Sequence, residues 1–206
     1  MGFMNFLSWY TRMLKEKPFS TKSITSFFTF GLGDFICQSV ESKFDNKSDK
    51  AKAAVKPYNW KRIFKQCIFG VIMTPYLHIQ YNILIPKFFP NPGALNTAKL
   101  LFYDQTVNAS VFLLAFFTYM DLLNDVDLGT SLKNTYVKFF PTLIANWKVW
   151  PGVQLVNFTF VPPEYRVLFV NVVAIGWNTY LSYVQNVKSF NLESTKEVGK
   201  DLNTKI

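Results

Sequence analysis

Apolar and polar positions divide this chain into long hydrophobic windows separated by short polar segments. Gln66 to Pro86 (QCIFGVIMTPYLHIQYNILIP) and Val167 to Val187 (VLFVNVVAIGWNTYLSYVQNV) carry no charged side chain. Roughly 20 helical residues cross the hydrocarbon of a bilayer, so both windows are long enough to span. Cations flank them: Lys61, Arg62, Lys65 and Lys87 around the first, Arg166 and Lys188 around the second. A third window, Gln105 to Met120, is shorter and very apolar. A fourth, Ser23 to Val40, is interrupted by Asp34. The pattern predicts an all-α integral membrane bundle with about four transmembrane helices plus amphipathic helices.

The amino-terminal stretch puts Phe3, Phe6, Leu7, Tyr10 and Leu14 on one helical face. Residues 1–17 are therefore expected to form an interfacial amphipathic helix ended by Pro18. The start MGFMNFLSWY precedes its cations and does not read as a secretory leader. Helices are expected over 20–41, 58–86, 95–123, 130–149 and 164–187. Pro75 should kink the second of these. Residues 42–57 read as a charged linker, 121–129 as an acidic loop, and 150–163 as an apolar stretch broken by prolines. Residues 1–190 form one membrane-embedded helical domain, and 191–206 read as a polar, disordered tail.

Within the windows the polar residues fall at helical spacing. Asp34, Gln38 and Glu41 lie at i, i+4 and i+7, as do Thr74, His78 and Tyr81. Asp104 and Asn108 are four apart, with Gln105 adjacent. Asn171, Asn178, Ser182 and Gln185 form another stripe. Residues at these spacings share a helix face. If the stripes converge, they make either hydrogen-bonded interhelical glue or a water-filled path. Asp34 is the sharpest case: an ionisable group at membrane depth is costly and marks a functional site by default. It follows Gly31 and Gly33, which allow close helix approach, and it needs a cationic partner. Arg62, Lys65 and Arg166 are the candidates. The residues expected to line a pore or form a buried polar network are Asp34, Gln38, His78, Asp104, Gln105, Asn108, Gln154, Asn157, Arg166 and Asn178.

Composition sharpens this picture. Half of the 206 residues are hydrophobic, 18% are aromatic, and 17% are charged, against about 25% in a usual soluble domain. The net charge is +9. Residues 1–22 carry Arg12, Lys15, Lys17 and Lys22 against Glu16, and residues 41–65 carry eight Lys or Arg against three acids. Cations beside apolar spans suit anionic lipid head groups, and no nucleic-acid-binding motif accompanies them. Basic segments precede and follow the first window, so loop charge gives no clean topology. Cys37 and Cys67 form neither a disulfide framework nor a zinc set, and His78 is the lone histidine. No catalytic constellation appears. The expectation is a protein that is not an enzyme and has no cofactor and no metal. Its expected partners are the lipid bilayer and small hydrophilic solutes; self-association into a homo-oligomer stays open.

The last third of the chain carries Trp147-Lys148-Val149-Trp150-Pro151, Gln154, Asn157-Phe158, Val161-Pro162, Arg166 and Trp177-Asn178-Thr179-Tyr180-Leu181-Ser182. This resembles the signature of the Mpv-seventeen and peroxisomal membrane protein (PXMP) family. Trp9, Tyr10, Leu14, Pro18 and Thr21 resemble its amino-terminal pattern, and Gly33-Asp34 with Gln38 its GDxxxQ box. Arg62, Gly70, Pro75, His78, Tyr81 and Leu84 resemble its second-helix motif, and Lys99 with Asp104-Gln105 its K…DQ motif. The likeness covers residues 5–186. Thr74, Gln80 and Ser110 depart from the family's usual Gly, Trp and Pro. The resemblance implies a small four-span protein of the inner mitochondrial or peroxisomal membrane. It also implies a channel for small solutes, or a non-conducting factor supporting organelle integrity and metabolite and mitochondrial DNA homeostasis. The basic amphipathic start leans toward mitochondria.

Overall fold

The computed structural model describes the backbone of residues 2–48, 57–90, 94–161 and 165–203. It describes side chains from 5 to 186 within those stretches, apart from 44–48, 94, 97, 158–159 and 167. Every element among the described residues is helical. The order is α1 (Gly2–Glu16), α2 (Pro18–Ser48), α3 (Trp60–Ile79), α4 (Ile85–Phe88), α5 (Ala94–Tyr103), α6 (Ala109–Leu122), α7 (Leu128–Thr159) and α8 (Arg166–Asn203).

Two π-turns, Gln80–Leu84 and Asp104–Asn108, join α3 to α4 and α5 to α6. The chain thus forms two longer units, Trp60–Phe88 and Ala98–Leu122. Both are long and apolar enough to cross a membrane.

Local chemistry explains most boundaries. Pro18 ends α1 and opens α2, where its missing N–H costs nothing. Asn59 caps α3, its side chain accepting from the Arg62 backbone N–H at 3.0 Å. Asp127 caps α7 through the Thr130 N–H. Asp125 takes a positive φ of 60° in the intervening turn, a conformation aspartate tolerates better than most residues.

Several expectations need correction. Helix α2 runs on to Ser48, so 42–48 is helix rather than linker; residues 49–56 lie outside the described residues. Helix α7 passes through Pro141 and Pro151 and reaches Thr159, where a broken stretch is expected from 150. A long apolar helix packed on neighbours tolerates the single backbone bond that each proline removes. Asp121 belongs to α6 and is buried rather than part of a loop. Helix α8 is described to Asn203. Glu193, Lys196 and Glu197 there are good helix formers, which suits propagation of an existing helix; residues 204–206 lie outside the described residues.

The core is aromatic. Phe30, Phe69, Met73, Leu113, Phe116, Phe117, Met120, Leu143, Trp177 and Leu181 belong to one buried cluster contributed by α2, α3, α6, α7 and α8. Phe69 meets Phe116 edge-on at 5.1 Å and Phe30 at 5.5 Å between ring centres. Close approach is set by glycines. A Cβ on Gly33 would stand 2.6 Å from Asn178 Cβ, and one on Gly70 would stand 2.8 Å from the Ser26 carbonyl oxygen. These contacts bring α2 against α8 and α3. Helix α1 docks through Tyr10, whose hydroxyl lies 2.9 Å from Thr25 Oγ1 and accepts from Asn171 at 3.2 Å.

Candidate functional site: paired charges between the helices

Asp34 has no exposed surface. Its Oδ1 accepts from Arg62 Nε at 2.7 Å, from Gln66 Nε2 at 3.2 Å and from the Ser182 hydroxyl. Its Oδ2 accepts from Gln38 Nε2 at 2.8 Å. The same Arg62 forks onto Glu41, with Nη1 and Nη2 at 2.9 and 2.8 Å from the two carboxylate oxygens. It also donates to Ser182 Oγ at 2.9 Å. Three helices thus meet at one guanidinium, whose rigid fork suits two carboxylates. The spacing of Asp34, Gln38 and Glu41 puts all three on the α2 face toward α3. The start of α3 is fixed to that face, because the Asn59 backbone N–H donates to Gln38 Oε1 at 2.8 Å.

A second pair lies among α6, α7 and α8. Lys138 Nζ is 3.3 Å from Asp121 Oδ1 and 3.0 Å from Gln185 Oε1, and both charged residues are buried. Gln185 Nε2 donates to the same Asp121 oxygen at 2.6 Å, and Asn134 holds the other at 3.0 Å. Phe117 lies under the ammonium at 5.7 Å, a cation–π geometry. Ser182 and Gln185 are three residues apart on α8, so one helix face touches both charge pairs. Lys65, a candidate partner for Asp34, reaches instead to the Leu123 carbonyl and Asn124 Oδ1 at 2.5 and 2.7 Å.

A third polar group sits where the two π-turns face each other. Tyr81 donates to Asp104, Tyr76 to Asn108 at 2.9 Å, and Tyr103 to Gln80 at 3.0 Å. Asn108 Nδ2 returns to Asp104 at 3.2 Å. Gln105 accepts from Asn146 at 3.0 Å, and its carbonyl accepts from Trp147 Nε1 at 2.8 Å. Tyr76 is 14 residues beyond Arg62 along α3, roughly 21 Å of helix, and Phe69 stands midway. Two polar layers are therefore separated by an aromatic one.

The ten residues singled out in the sequence do not gather at one place. Asp34 and Gln38 share the Arg62 layer, and Asn178 packs on Gly33 one turn from Ser182. Asp104, Gln105 and Asn108 form the π-turn layer. His78 is half-buried, edge-on to Phe19 at 6.3 Å, with its carbonyl accepting from Asn82. Gln154 and Asn157 bond each other at 3.4 Å near the end of α7, and Arg166 Nε donates to the Val161 carbonyl at 3.2 Å. Sequence reasoning passed over Asp121 and Lys138. The available signal was a lysine inside the aromatic run TYVKFF, which must find an acid if the run is buried. No group of three or more His, Cys, Asp or Glu among the described residues is arranged to hold a metal ion.

The all-helical bundle has two units long and apolar enough to cross a membrane and holds buried charge pairs, as a membrane helical bundle would, and comparison with known proteins specifies the family. The model of the Mpv17 / PMP22 family matches residues 122–182. The chain is 36% identical to PXMP2/4 family protein 3 of Dictyostelium discoideum over 88% of its own length and 91% of that protein's. It is 32% identical to peroxisomal membrane protein 2 of Bos taurus (85% and 87% covered) and 33% identical to protein SYM1 of Saccharomyces cerevisiae (87% and 90% covered). The chain belongs to the Mpv17 / PMP22 family. No solved structure matches it.

Proposed function

We propose that this chain is an integral organelle-membrane protein that passes small hydrophilic solutes as a weakly selective channel. It crosses the bilayer about four times, through the two apolar units and the long helices packed on them. The observation that carries the reading is the set of four charged side chains, Asp34, Arg62, Asp121 and Lys138, placed where helices meet. A structural bundle has cheaper ways to hold helices together; Arg62 is the third residue of Trp60–Phe88 and Asp121 the last but one of Ala98–Leu122, so both charge pairs stand at a span end, where buried ionisable groups suit the mouth of a passage. It acts without enzymatic chemistry, its partners are lipid and solute, and it engages no nucleic acid; self-association stays open. Its membrane is mitochondrial or peroxisomal, with the basic amphipathic α1 favouring the mitochondrial inner membrane and the name of the bovine relative supporting the peroxisome.

One observation favours a second reading. The described aromatic side chains between the two polar layers pack closely, and the charged groups bond one another. That suits a non-conducting protein supporting organelle integrity. Reconstitution in planar bilayers separates the two. Conductance whose cation preference changes in Asp34→Asn supports the channel. Silence at every voltage and redox poise, with stably copurifying proteins, establishes the second reading. Imaging a tagged chain against markers of both organelles decides the membrane.

A further inference from the structure

We propose that the groove beside the second π-turn is a binding site for one acyl chain of an anionic phospholipid, whose head group rests on Lys99 and Lys87. The proposal rests on the membrane-spanning reading above. The groove has a volume of about 490 Å³ and is walled by Phe89, Ala98, Phe102, Tyr103, Thr106 and Val107, with Lys99 at its rim. Its polar wall atoms are turned to other partners: the Thr106 hydroxyl donates to the Phe102 carbonyl at 2.6 Å, and the Tyr103 hydroxyl donates to Gln80 at 3.0 Å. What remains toward the groove is almost wholly hydrocarbon, including the stem of Lys99.

Position makes the Lys99 ammonium informative. Lys99 lies in the second turn of α5, which begins at Ala94, and Lys87 is the penultimate residue of the unit Trp60–Phe88. Residues 89–93 connect α4 to α5, so both cations stand toward the same end of the two units, near head-group level. Both are exposed, and neither has a carboxylate partner among the described residues. Asp104, a nearby acid, is held by Tyr81, Gln105 and Asn108. From Lys99 to Val107 the groove follows the helix for roughly 12 Å, from head-group level into the hydrocarbon. A neutral lipid would fill the same walls and leave two cations unanswered. An anionic phosphate answers them, at a gain that corresponds to roughly fivefold in affinity per lysine.

The test titrates dioleoyl phosphatidylglycerol into the full chain purified in a neutral detergent and follows its thermal transition. Dioleoyl phosphatidylcholine and the chain-free head group glycerophosphoglycerol run alongside. Phosphatidylglycerol should raise the transition saturably and at lower concentration than phosphatidylcholine, and the chain-free head group should do nothing. K87Q and K99Q are surface changes that leave the fold intact, and each should shift the titration midpoint roughly fivefold upward. V107W should fill the groove and abolish the phosphatidylglycerol effect while both lysines remain. Equal response to the two lipids, an unchanged midpoint in the K87Q/K99Q double variant, or full response in V107W overturns the site. Alkaline extraction of native membranes separates the failures: a chain released into the wash refutes the spanning reading itself, whereas a retained chain without lipid selectivity refutes only the site.

Discussion

Arg62 Nε lies 2.7 Å from Asp34 Oδ1, and the same guanidinium forks onto Glu41. One cation therefore answers two carboxylates of α2 from the first turn of α3. Removing it strands Asp34 without its counter-charge inside the bundle. Arg62→Ala should cost about 3–5 kcal/mol, the range for a broken buried pair. Arg62→Lys should fall between that variant and the parent, because an ammonium supplies charge without the fork. Asp34→Asn should be milder than Arg62→Ala, since it removes a buried charge instead of creating one. Thermal transitions in a single detergent rank the three, and an Arg62→Ala protein as stable as the parent would refute the latch.

Gly33 should tolerate no side chain. Its Cβ would meet Asn178 Cβ at 2.6 Å, the Asn178 carbonyl carbon at 2.9 Å and the Thr179 nitrogen at 3.0 Å. Two of those atoms are backbone, so α8 itself must move. Gly33→Ala is expected to lose about 1–3 kcal/mol, as overpacking does. Gly31→Ala meets only the Cys67 sulfur that closely, at 2.5 Å, and a side chain can turn away. Gly152 has nothing within 4 Å, and Gly152→Ala should be neutral or gain up to about 1 kcal/mol from backbone entropy. The order Gly33, Gly31, Gly152 in thermal shift is the check.

Lys138 and Asp121 give a cleaner pairwise test, because both are buried and the pair is neutral. Lys138→Met alone should destabilise by about 3–5 kcal/mol by leaving Asp121 charged in the interior. Adding Asp121→Leu should recover much of the loss, although Gln185 and Asn134 then lose their acceptor. A double-mutant cycle measures the coupling. Strict additivity would mean that the two side chains do not interact in solution.

Spacing along one helix was legible in the sequence, and pairing between helices was not. Asp34, Gln38 and Glu41 read as a stripe because helix geometry alone puts them there. That Asp34 needs a cation also follows from its chemistry, and three were available. Which one answers depends on the register of α3 against α2. That register is set by Gly31 and Gly70 together with the Asn59 cap, and none of these announces a distance. The same limit hid Asp121 and Lys138, 17 residues apart on different helices. Pro141 and Pro151 misled in the other direction. Local propensity says that a proline ends a helix, whereas α7 continues because packing along its whole length outweighs two missing bonds.

The start of α7 carries a pH signature outside the bundle. Asp127 accepts from the Thr130 side chain and backbone, and these bonds hold its carboxyl below the usual aspartate range. A depressed folded value stabilises the cap at pH above the ordinary aspartate value of about 3.8. The contribution is lost as pH falls through the lower folded value. Amide protection factors at residues 128–131, taken relative to the intrinsic exchange rate at each pH, should therefore fall on acidification below pH about 4, and Asp127→Ala should show the lower protection already at neutral pH. Protection in the parent that stays constant with pH over this range would refute the cap.

Phe116 decides between a passage and a plug. It has no exposed surface, and the rings of Phe69, Phe117 and Phe30 lie 5.1, 5.4 and 6.3 Å away. Phe116→Ala removes a ring from the layer between the two polar groups and should cost about 3–5 kcal/mol, as such core truncations do. That loss is expected on either reading. Conductance is not. If solutes cross this layer, thinning it should raise single-channel conductance and weaken discrimination by size. Phe116→Leu, which keeps the wall, should stay near the parent. If the layer is a permanent plug, both variants stay silent in bilayers while only the alanine protein loses stability. Recording current and thermal transition on the same two preparations separates a gate residue from a packing residue, because stability alone moves in one case and both quantities move in the other.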